Sequence, residues 1–179
     1  MSTTNTRADF EQLFLPHMDA AYNLARLLTR SAHDAEDVAQ ESYLRAFRAF
    51  SSFRGEASRP WLLTIVRNTS FTWLRDNRLR ADQTEYHEDL HVSGGPTPEA
   101  ESLRHERTRC VQRCVQQLPS DFREAIVLRE MEELSYQEIA EITGVPRGTV
   151  MSRLSRARAR LAECLKNSAE KGVLGACQE

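Results

Sequence analysis

The feature that most constrains this fold is the 3.6-residue spacing of apolar residues, which continues through most of the chain. At least five segments carry an apolar stripe at this spacing, and no segment shows the two-residue alternation of a half-buried strand. Gly and Pro number only 7 and 6, so the sequence is short of the turns that a sandwich or barrel requires. We therefore predict an all-α fold.

The helical spacing is interrupted at residues 82–98. This stretch is polar and ends in Ser-Gly-Gly-Pro-Thr-Pro, which is typical of a flexible linker. A chain of 179 residues is long enough for one large or two small domains. We predict two small helical domains at residues 1–80 and 101–166, joined by an acidic linker at 81–100 and followed by a tail at 167–179.

The formal net charge of −2 argues against a nucleic-acid-binding protein only until the charges are followed along the chain. Residues 59–80 contain five arginines and one acid, residues 82–106 contain seven acids and one arginine, and residues 145–166 contain six basic residues and one acid. Each of the two basic segments could bind a polyanion. Two solvated helix faces are the alternative interpretation.

A helix-turn-helix pattern occupies residues 135–161. Ser135 and Glu138 form a capping box, the turn contains Gly144, and a basic amphipathic helix follows. The second helix of such a unit can enter the major groove of DNA. Its outward-facing polar residues are Arg147, Thr149, Ser152, Arg153, Arg156 and Arg160. A helical hairpin with a solvated basic face would explain the pattern without DNA.

The helix predicted from about Pro60 to Arg80 has an unusual outer face. Opposite its core stripe, an aromatic ring stands among basic and polar groups, at Thr64, Arg67, Asn68, Phe71, Leu74, Arg75 and Arg78. Basic groups interleaved with an aromatic ring suit a single strand with unstacked bases. Alternatively, Phe71 packs against a neighbouring helix of the same domain.

The preceding helix, predicted to run from a cap at Asp34 to about Phe50, has a different surface. An outward leucine is surrounded mainly by polar and acidic groups, at Asp37, Gln40, Glu41, Leu44 and Arg48. The acids have the wrong sign for a phosphate backbone, so the pattern indicates a protein-docking patch. A solvated face with one stray leucine is the alternative.

Four cysteines, Cys110, Cys114, Cys164 and Cys177, are too few and too clustered for a disulfide framework, and we expect thiols in a reducing compartment. Cys110 and Cys114 share a helix face near His105 and could help to hold zinc, but a structural site needs four ligands. Buried apolar cysteines are the interpretation that we favour.

The sequence offers no phosphate-binding glycine loop and no metalloprotease or nucleophile motif. We therefore predict neither an enzymatic activity nor a cofactor or metal. No apolar run reaches the roughly 18 to 20 residues that span a bilayer, and the start lacks the hydrophobic stretch of a signal peptide. We expect a cytoplasmic protein without direct membrane insertion.

Three sequence blocks in order give the chain a family resemblance. They are DAEDVAQE at 34–41, FRG at 53–55 followed by WLLTIVRN at 61–68, and LP at 118–119 followed by LSYQEIA at 134–140 and GTV at 148–150. With these blocks, the chain resembles a bacterial sigma-70 family RNA polymerase sigma factor of the short, extracytoplasmic-function type.

The resemblance implies two helical domains, called regions 2 and 4, without the larger domain that separates them in housekeeping sigma factors. It implies that Asp37, Gln40, Glu41 and Leu44 dock on the clamp helices of core RNA polymerase. Residues that would open and bind the minus-ten promoter element are Phe53, Arg54, Arg67, Asn68, Phe71, Arg75 and Arg78. The helix from Arg147 to Arg160 would bind the minus-thirty-five element in duplex form.

Further expectations follow from the same resemblance. Within the last helix we assign base-edge contacts to Arg156, Arg153 and Ser152, and phosphate contacts to Arg147 and Arg160. Met151 stands where relatives often carry arginine, so their promoter sequence does not transfer to this chain. Such factors are usually held inactive by an anti-sigma protein, which we expect as a partner. Two other hypotheses are a stand-alone helix-turn-helix regulator and a zinc or thiol redox sensor.

Overall fold

The structure is a computed structural model that describes residues 3–54, 57–81 and 99–170, and the side chains of 7–54, 57–77 and 108–168 within them. The first half contains four helices: α1 (Thr3–Phe14), α2 (Met18–Thr29), α3 (Ala32–Ala49) and α4 (Ser58–Ala81). The second half contains α5 (Glu99–Gln117), α6 (Ser120–Ile126), α7 (Tyr136–Thr143) and α8 (Arg147–Glu170).

Short helical turns complete the secondary structure. Two 3-10 turns lie at Leu15–His17 and Phe50–Ser52, and a π-helical turn lies at Val127–Met131. The described residues contain no strand, so the predicted all-α class is confirmed. The predicted linker falls largely between α4 and α5, at residues 82–98, which lie outside the described residues.

The start of α3 differs by one turn from the sequence expectation. Ser31, and not Asp34, is the N-cap, and its hydroxyl accepts a hydrogen bond from the Asp34 N–H at 3.3 Å. Asp34 stands in the first turn, where the helix dipole favours an acid. Arg30, with φ of 67°, ends α2 in the left-handed conformation and turns the chain toward α3.

The capping box that begins α7 forms as predicted. Ser135 Oγ accepts a hydrogen bond from the Glu138 N–H at 3.2 Å, and Glu138 Oε2 accepts one from the Ser135 N–H at 2.8 Å. These hydrogen bonds stabilise the carboxylate and lower the pKa of Glu138. Gly144 ends α7 with φ of 68°, a conformation in which a Cβ atom is strained.

The first half is built around α2, α3 and α4, which pack through buried aliphatic residues such as Leu24, Val38 and Leu62. An aromatic cluster closes one end of this core. Within it, Trp61 lies with its ring centroid 5.3 Å from that of Phe14 and 5.1 Å from that of Phe53.

In the second half, α6, α7 and α8 bury Ile139, Val150 and Leu154, and α5 packs along α8. The expectation of four thiols is wrong for one pair: Cys114 of α5 forms a disulfide with Cys164 of α8, with 5.8 Å between the Cα atoms. The two residues are 50 positions apart, and only the packing of the two helices brings them together. Cys110 is buried and free, as predicted.

The two halves also contact each other. Helices α2 and α4 of the first half pack against α6 and α7 of the second, and one hydrophobic cluster contains most of the buried apolar residues of both halves. Of the helices in the described ranges, none is long and apolar enough to cross a membrane.

Candidate protein and nucleic-acid interfaces

An open apolar groove of about 840 Å³ lies between α1, the start of α2 and α3. Its walls include four large side chains that are about half exposed: Leu15 (45%), Met18 (50%), Leu44 (52%) and Phe47 (45%). Single apolar side chains scattered over a surface are normal, but four of them in one groove indicate a contact with another macromolecule. Acidic residues Glu11, Asp19 and Glu36 also line the groove, together with Arg7.

The groove includes part of the predicted docking patch. Leu44 and Gln40 line it, whereas Asp37 and Glu41 stand beside it on the same helix. Glu41 accepts a hydrogen bond from the exposed Arg45 at 2.7 Å. The sequence did not predict Leu15, Met18 and Phe47 as members of this surface. Leu15 and Met18 belong to elements other than α3, whereas Phe47 follows Leu44 by one turn on α3 and could have been found from the pattern of that helix.

The floor of the groove is fixed by a hydrogen bond between helices. The Tyr43 hydroxyl donates to the Phe14 carbonyl oxygen at 2.8 Å, which ties α3 to the end of α1. Burial, with the nearby charge of Asp19, raises the pKa of Tyr43 to about 12, so the donor proton is retained. The groove is therefore largely preformed.

The outer face of α4 is partly occupied. Arg67 forms an ion pair with Glu124 of α6, and its guanidinium lies 4.8 Å from the centroid of the Phe71 ring. Phe71 is half-buried and packs against the core, which favours the packing alternative that the sequence left open. The helical pattern of α4 alone could not show that a neighbouring element covers this side.

The other residues predicted for single-strand contacts differ in exposure. Asn68 and Arg75 are exposed on α4, and Arg54 is exposed before it, with its guanidinium donating to the Ser51 carbonyl at 3.0 Å. Phe53 is half-buried in the aromatic cluster against Trp61. The side chain of Arg78 lies outside the described residues.

Helix α8 buries Val150, Leu154 and Ala157, as its stripe predicts. Its outer face is exposed at Arg147, Ser152, Arg156 and Arg160, and half-exposed at Thr149 and Arg153.

The basic residues on the outer face of α8 are not equivalent. Arg153 pairs with Asp121 at 2.7 Å, and the Arg160 guanidinium lies 5.2 Å from the centroid of the Phe122 ring. Arg147 and Arg156 form no ion pair with any residue that the structure describes. Their guanidinium groups are therefore the most available for an anionic ligand.

No group of three or more His, Cys, Asp or Glu that could hold a metal ion occurs among the described side chains. His105, which the zinc hypothesis requires, has its side chain outside them.

Two family models match the chain in the order of its halves. The first, described as Sigma-70 region 2, matches residues 13–80, and the second, described as Sigma-70, region 4, matches residues 108–161. An ECF RNA polymerase sigma-E factor of Haemophilus influenzae is 42% identical over 146 residues, which cover 75% of this chain and 77% of that protein. The chain belongs to the extracytoplasmic-function sigma factors of the sigma-70 family.

Other relatives and solved structures agree with this membership. The RNA polymerase sigma-H factor of Pseudomonas aeruginosa is 36% identical to this sigma factor, with 88% of this chain and 86% of that protein covered. A co-crystal structure of the sigma factor RpoE with the anti-sigma factor NepR from Bartonella quintana has a TM-score of 0.76 and 30% identity, and covers 88% of this chain and 97% of that one.

A second structure, of CnrH with the cytosolic domain of CnrY, has a TM-score of 0.64 and 28% identity, and covers 93% of this chain and 92% of that one. We call the groove between α1, α2 and α3 the α3 groove, and the outer face of α4 the α4 face. Both lie within the region 2 match, except for the groove residues of α1 that precede residue 13. The described outer face of α8 lies within the region 4 match. All predicted site residues of this sigma factor therefore fall inside the family regions.

Proposed function

We propose that this chain is a promoter-specificity subunit, regulatory and not catalytic, that binds core RNA polymerase in the cytoplasm and directs it to promoters. The observation that carries the proposal is the presence of both sigma regions in one chain, each with its own exposed surface. A stand-alone helix-turn-helix regulator would use the second half alone, and it would leave the α3 groove and the α4 face without a role.

In this proposal the α3 groove is the polymerase-docking surface. Its exposed Leu44, Met18 and Phe47 offer apolar area, and the acids along it disfavour a phosphate backbone. Such a groove suits a helix that presents apolar side chains flanked by basic ones. Asp37, Gln40 and Glu41 would supply polar contacts at the rim.

The α4 face would then bind the melted minus-ten strand. Asn68 and Arg75 are accessible on the helix that carries Arg67 and Phe71, and Arg54 is accessible in the segment before it. A guanidinium over an aromatic ring is a surface on which an unstacked base can stack. Phe53 and Arg78 keep the role that the resemblance gives them, as predictions.

The α8 helix would enter the major groove at the minus-thirty-five element. Arg156, Arg153 and Ser152 face outward near the middle of its outer surface, where base edges would lie, whereas Arg147 and Arg160 flank them and suit phosphates. Thr149 adds a side chain that can contact either a base or a phosphate.

An anti-sigma protein is the further partner that we propose. The two solved sigma-like structures described above are complexes, one of them with a protein named as an anti-sigma factor.

Transcription with purified core polymerase tests the proposal. We would combine the full chain with core enzyme from the same organism and sheared genomic DNA, and map the 5′ ends of the transcripts. We expect new start sites that share upstream sequence at two spaced positions. No transcript above that of core enzyme alone would overturn the proposal, and DNA binding by the free chain without any effect on core enzyme would favour the stand-alone regulator.

A further inference from the structure

Met151 is a large apolar side chain on the outer surface of α8, the helix that we assign to the minus-thirty-five duplex. Val150 and Leu154, which belong to the buried stripe of this helix, are each 1% exposed, whereas Met151 is 51% exposed. The other exposed side chains on the described part of α8 are polar, charged or small. Packing within the chain therefore covers only part of Met151 and leaves the rest open to a ligand.

The outer surface of α8 has a crest and two flanks, which follow from the helical rotation of about 100° per residue. The crest lies opposite the buried stripe and carries the small residues Gly148, Ser152 and Ala159. Small residues there allow the helix backbone to approach the base edges closely. One flank carries Thr149, Arg153, Arg156 and Arg160, and the other carries Arg147, Met151, Ser155 and Arg158.

The two flanks differ in the charge that they offer to DNA. Arg158 is occupied, because its Nε and Nη2 both donate to Oε1 of Glu130, at 3.1 and 2.7 Å. Arg147, one turn before Met151, forms no ion pair with any residue that the structure describes. The Met151 flank thus presents one available guanidinium beside one apolar side chain.

The major groove offers a matching apolar group. The C5 methyl of thymine projects into it, whereas the other groups on its base edges are hydrogen-bond donors and acceptors. Met151 is the fifth residue of α8, and residues near the N-terminus of a recognition helix are those that contact base edges. A thioether on a flexible stem can adapt its position to a methyl group. The flank therefore suits a thymine beside a phosphate bound by Arg147.

We propose that Met151 is a specificity-determining residue that contacts the C5 methyl group of a thymine in the minus-thirty-five element. The inference rests on the proposed function and deepens it, because it takes α8 to lie in the major groove. Arg156, Arg153 and Ser152 recognise hydrogen-bonding groups of the bases. Met151 adds the recognition of an apolar group at one A·T pair.

The test removes the methyl group alone. Deoxyuridine differs from thymidine only by the missing C5 methyl, so its pair with adenine keeps every hydrogen-bonding group. The full-length chain, alone and in complex with core polymerase, first selects duplexes from a pool of random sequence. Each thymine of a selected duplex is then replaced singly by deoxyuridine, and fluorescence anisotropy gives the Kd for the form of the protein that selected it.

We expect a thymine position at which deoxyuridine raises the Kd of the wild type about fourfold, which corresponds to the loss of one buried methyl group. Met151→Ala should bind the thymine duplex more weakly, and deoxyuridine at that position should then have no further effect. Met151→Leu keeps an apolar side chain and should keep most of the methyl dependence. Met131→Ala, at a methionine that is 52% exposed outside α8, is the matched control and should keep all of it.

Equal Kd values for thymine and deoxyuridine at every position would overturn the inference, and so would a methyl dependence that Met151→Ala of native helicity retains. A chain that selects no duplex in either form would overturn it too. The outcome is separable from that of the proposed function, which transcription with core polymerase decides. A methyl contact that Met151→Ala removes, in a chain that fails to direct transcription, would retain the inference and favour the stand-alone regulator.

Discussion

The guanidinium of Arg153 donates a hydrogen bond to Oδ2 of Asp121 at 2.7 Å, and this contact ties α8 to α6 on the surface proposed to face DNA. The Arg153 side chain is 21% exposed and that of Asp121 is 51% exposed. A residue assigned to base-edge contacts is therefore already partnered in the free protein. Binding DNA through Arg153 would require the guanidinium to be shared or released.

Asp121→Asn should increase affinity for the minus-thirty-five duplex. The change releases Arg153 and removes a negative charge beside the phosphate backbone. Exposed ion pairs of this kind contribute about 0.2–1 kcal/mol, which corresponds to a roughly 1.4- to 5-fold lower Kd. Fluorescence anisotropy with a duplex taken from a mapped promoter measures the Kd, and Glu133→Gln is the control. Weaker binding by Asp121→Asn would mean that the pair orients Arg153 for DNA.

Arg156→Ala and Arg147→Ala should have different effects on DNA binding. If Arg156 contacts a base edge, its loss should cost about 1–3 kcal/mol at one promoter position and relax the preference there. Loss of a phosphate contact at Arg147 should weaken binding to all DNA sequences uniformly. It should also reduce the slope of the log binding constant against log salt concentration by about one. Titrations of matched and single-mismatch duplexes at several salt concentrations distinguish the two roles. Uniform weakening by both variants would contradict the assignment of Arg156.

Local patterns predicted the helix-turn-helix, because its determinants lie within a few residues of each other. Ser135 and Glu138 satisfy each other's backbone groups, and Gly144 takes the conformation that ends α7. The stripe of Val150 and Leu154 is buried as its spacing predicts. Each of these features requires only its own segment of chain.

Features that depend on tertiary packing were not predicted. Arg67 and Glu124 are 57 positions apart, and nothing in the pattern of α4 indicates that α6 lies against it. The Cys114–Cys164 disulfide escaped prediction for the same reason, and the packing of the half-buried Phe71 was one of two alternatives that the sequence left open. A helical period assigns faces within one helix, but it does not state which second helix covers each face.

Leu44→Lys should weaken binding to core polymerase. Burial of a leucine side chain contributes about 1.5–3 kcal/mol, which corresponds to a roughly 10- to 150-fold increase in Kd. The control is Leu13→Lys, because Leu13 is also a large exposed apolar residue, at 41%, but does not line the groove. Biolayer interferometry with immobilised core polymerase gives both Kd values. Equal losses in the two variants would remove the groove from the interface.

Glu41→Lys should also weaken polymerase binding, through loss of a rim carboxylate. Because Glu41 is far in sequence from α8 and lies on α3, binding of the minus-thirty-five duplex by the free chain should be retained. Biolayer interferometry and fluorescence anisotropy on the same preparation measure the two affinities. A loss of both would indicate misfolding, and a loss of neither would exclude Glu41 from the docking surface.

Reduction of the Cys114–Cys164 disulfide should destabilise the second half. The chain-entropy model for a closed loop of this size gives about 4 kcal/mol. Hydrogen exchange of the α5 and α8 amides along a urea series, with and without dithiothreitol, measures the change in the free energy of unfolding. Cys164→Ser should show the lower stability in both conditions and no response to the reductant. A wild type that is equally stable with and without dithiothreitol would show that the bond contributes nothing.

His17 should make the first half less stable in acid. Its Nε2 lies 2.9 Å from Ser58 Oγ, and partial burial together with the charge of Arg59 lowers its pKa below the ordinary value of 6.5. The unfolded chain therefore takes up this proton at a higher pH than the folded chain. The stability due to neutral His17 is present above pH 6.5 and is lost as the pH falls through 6.5 toward the lower folded-state pKa.

Urea unfolding of the wild type and of His17→Gln between pH 7.5 and 5 measures the difference in the slope of stability against pH. A His17→Gln slope equal to that of the wild type would contradict the prediction.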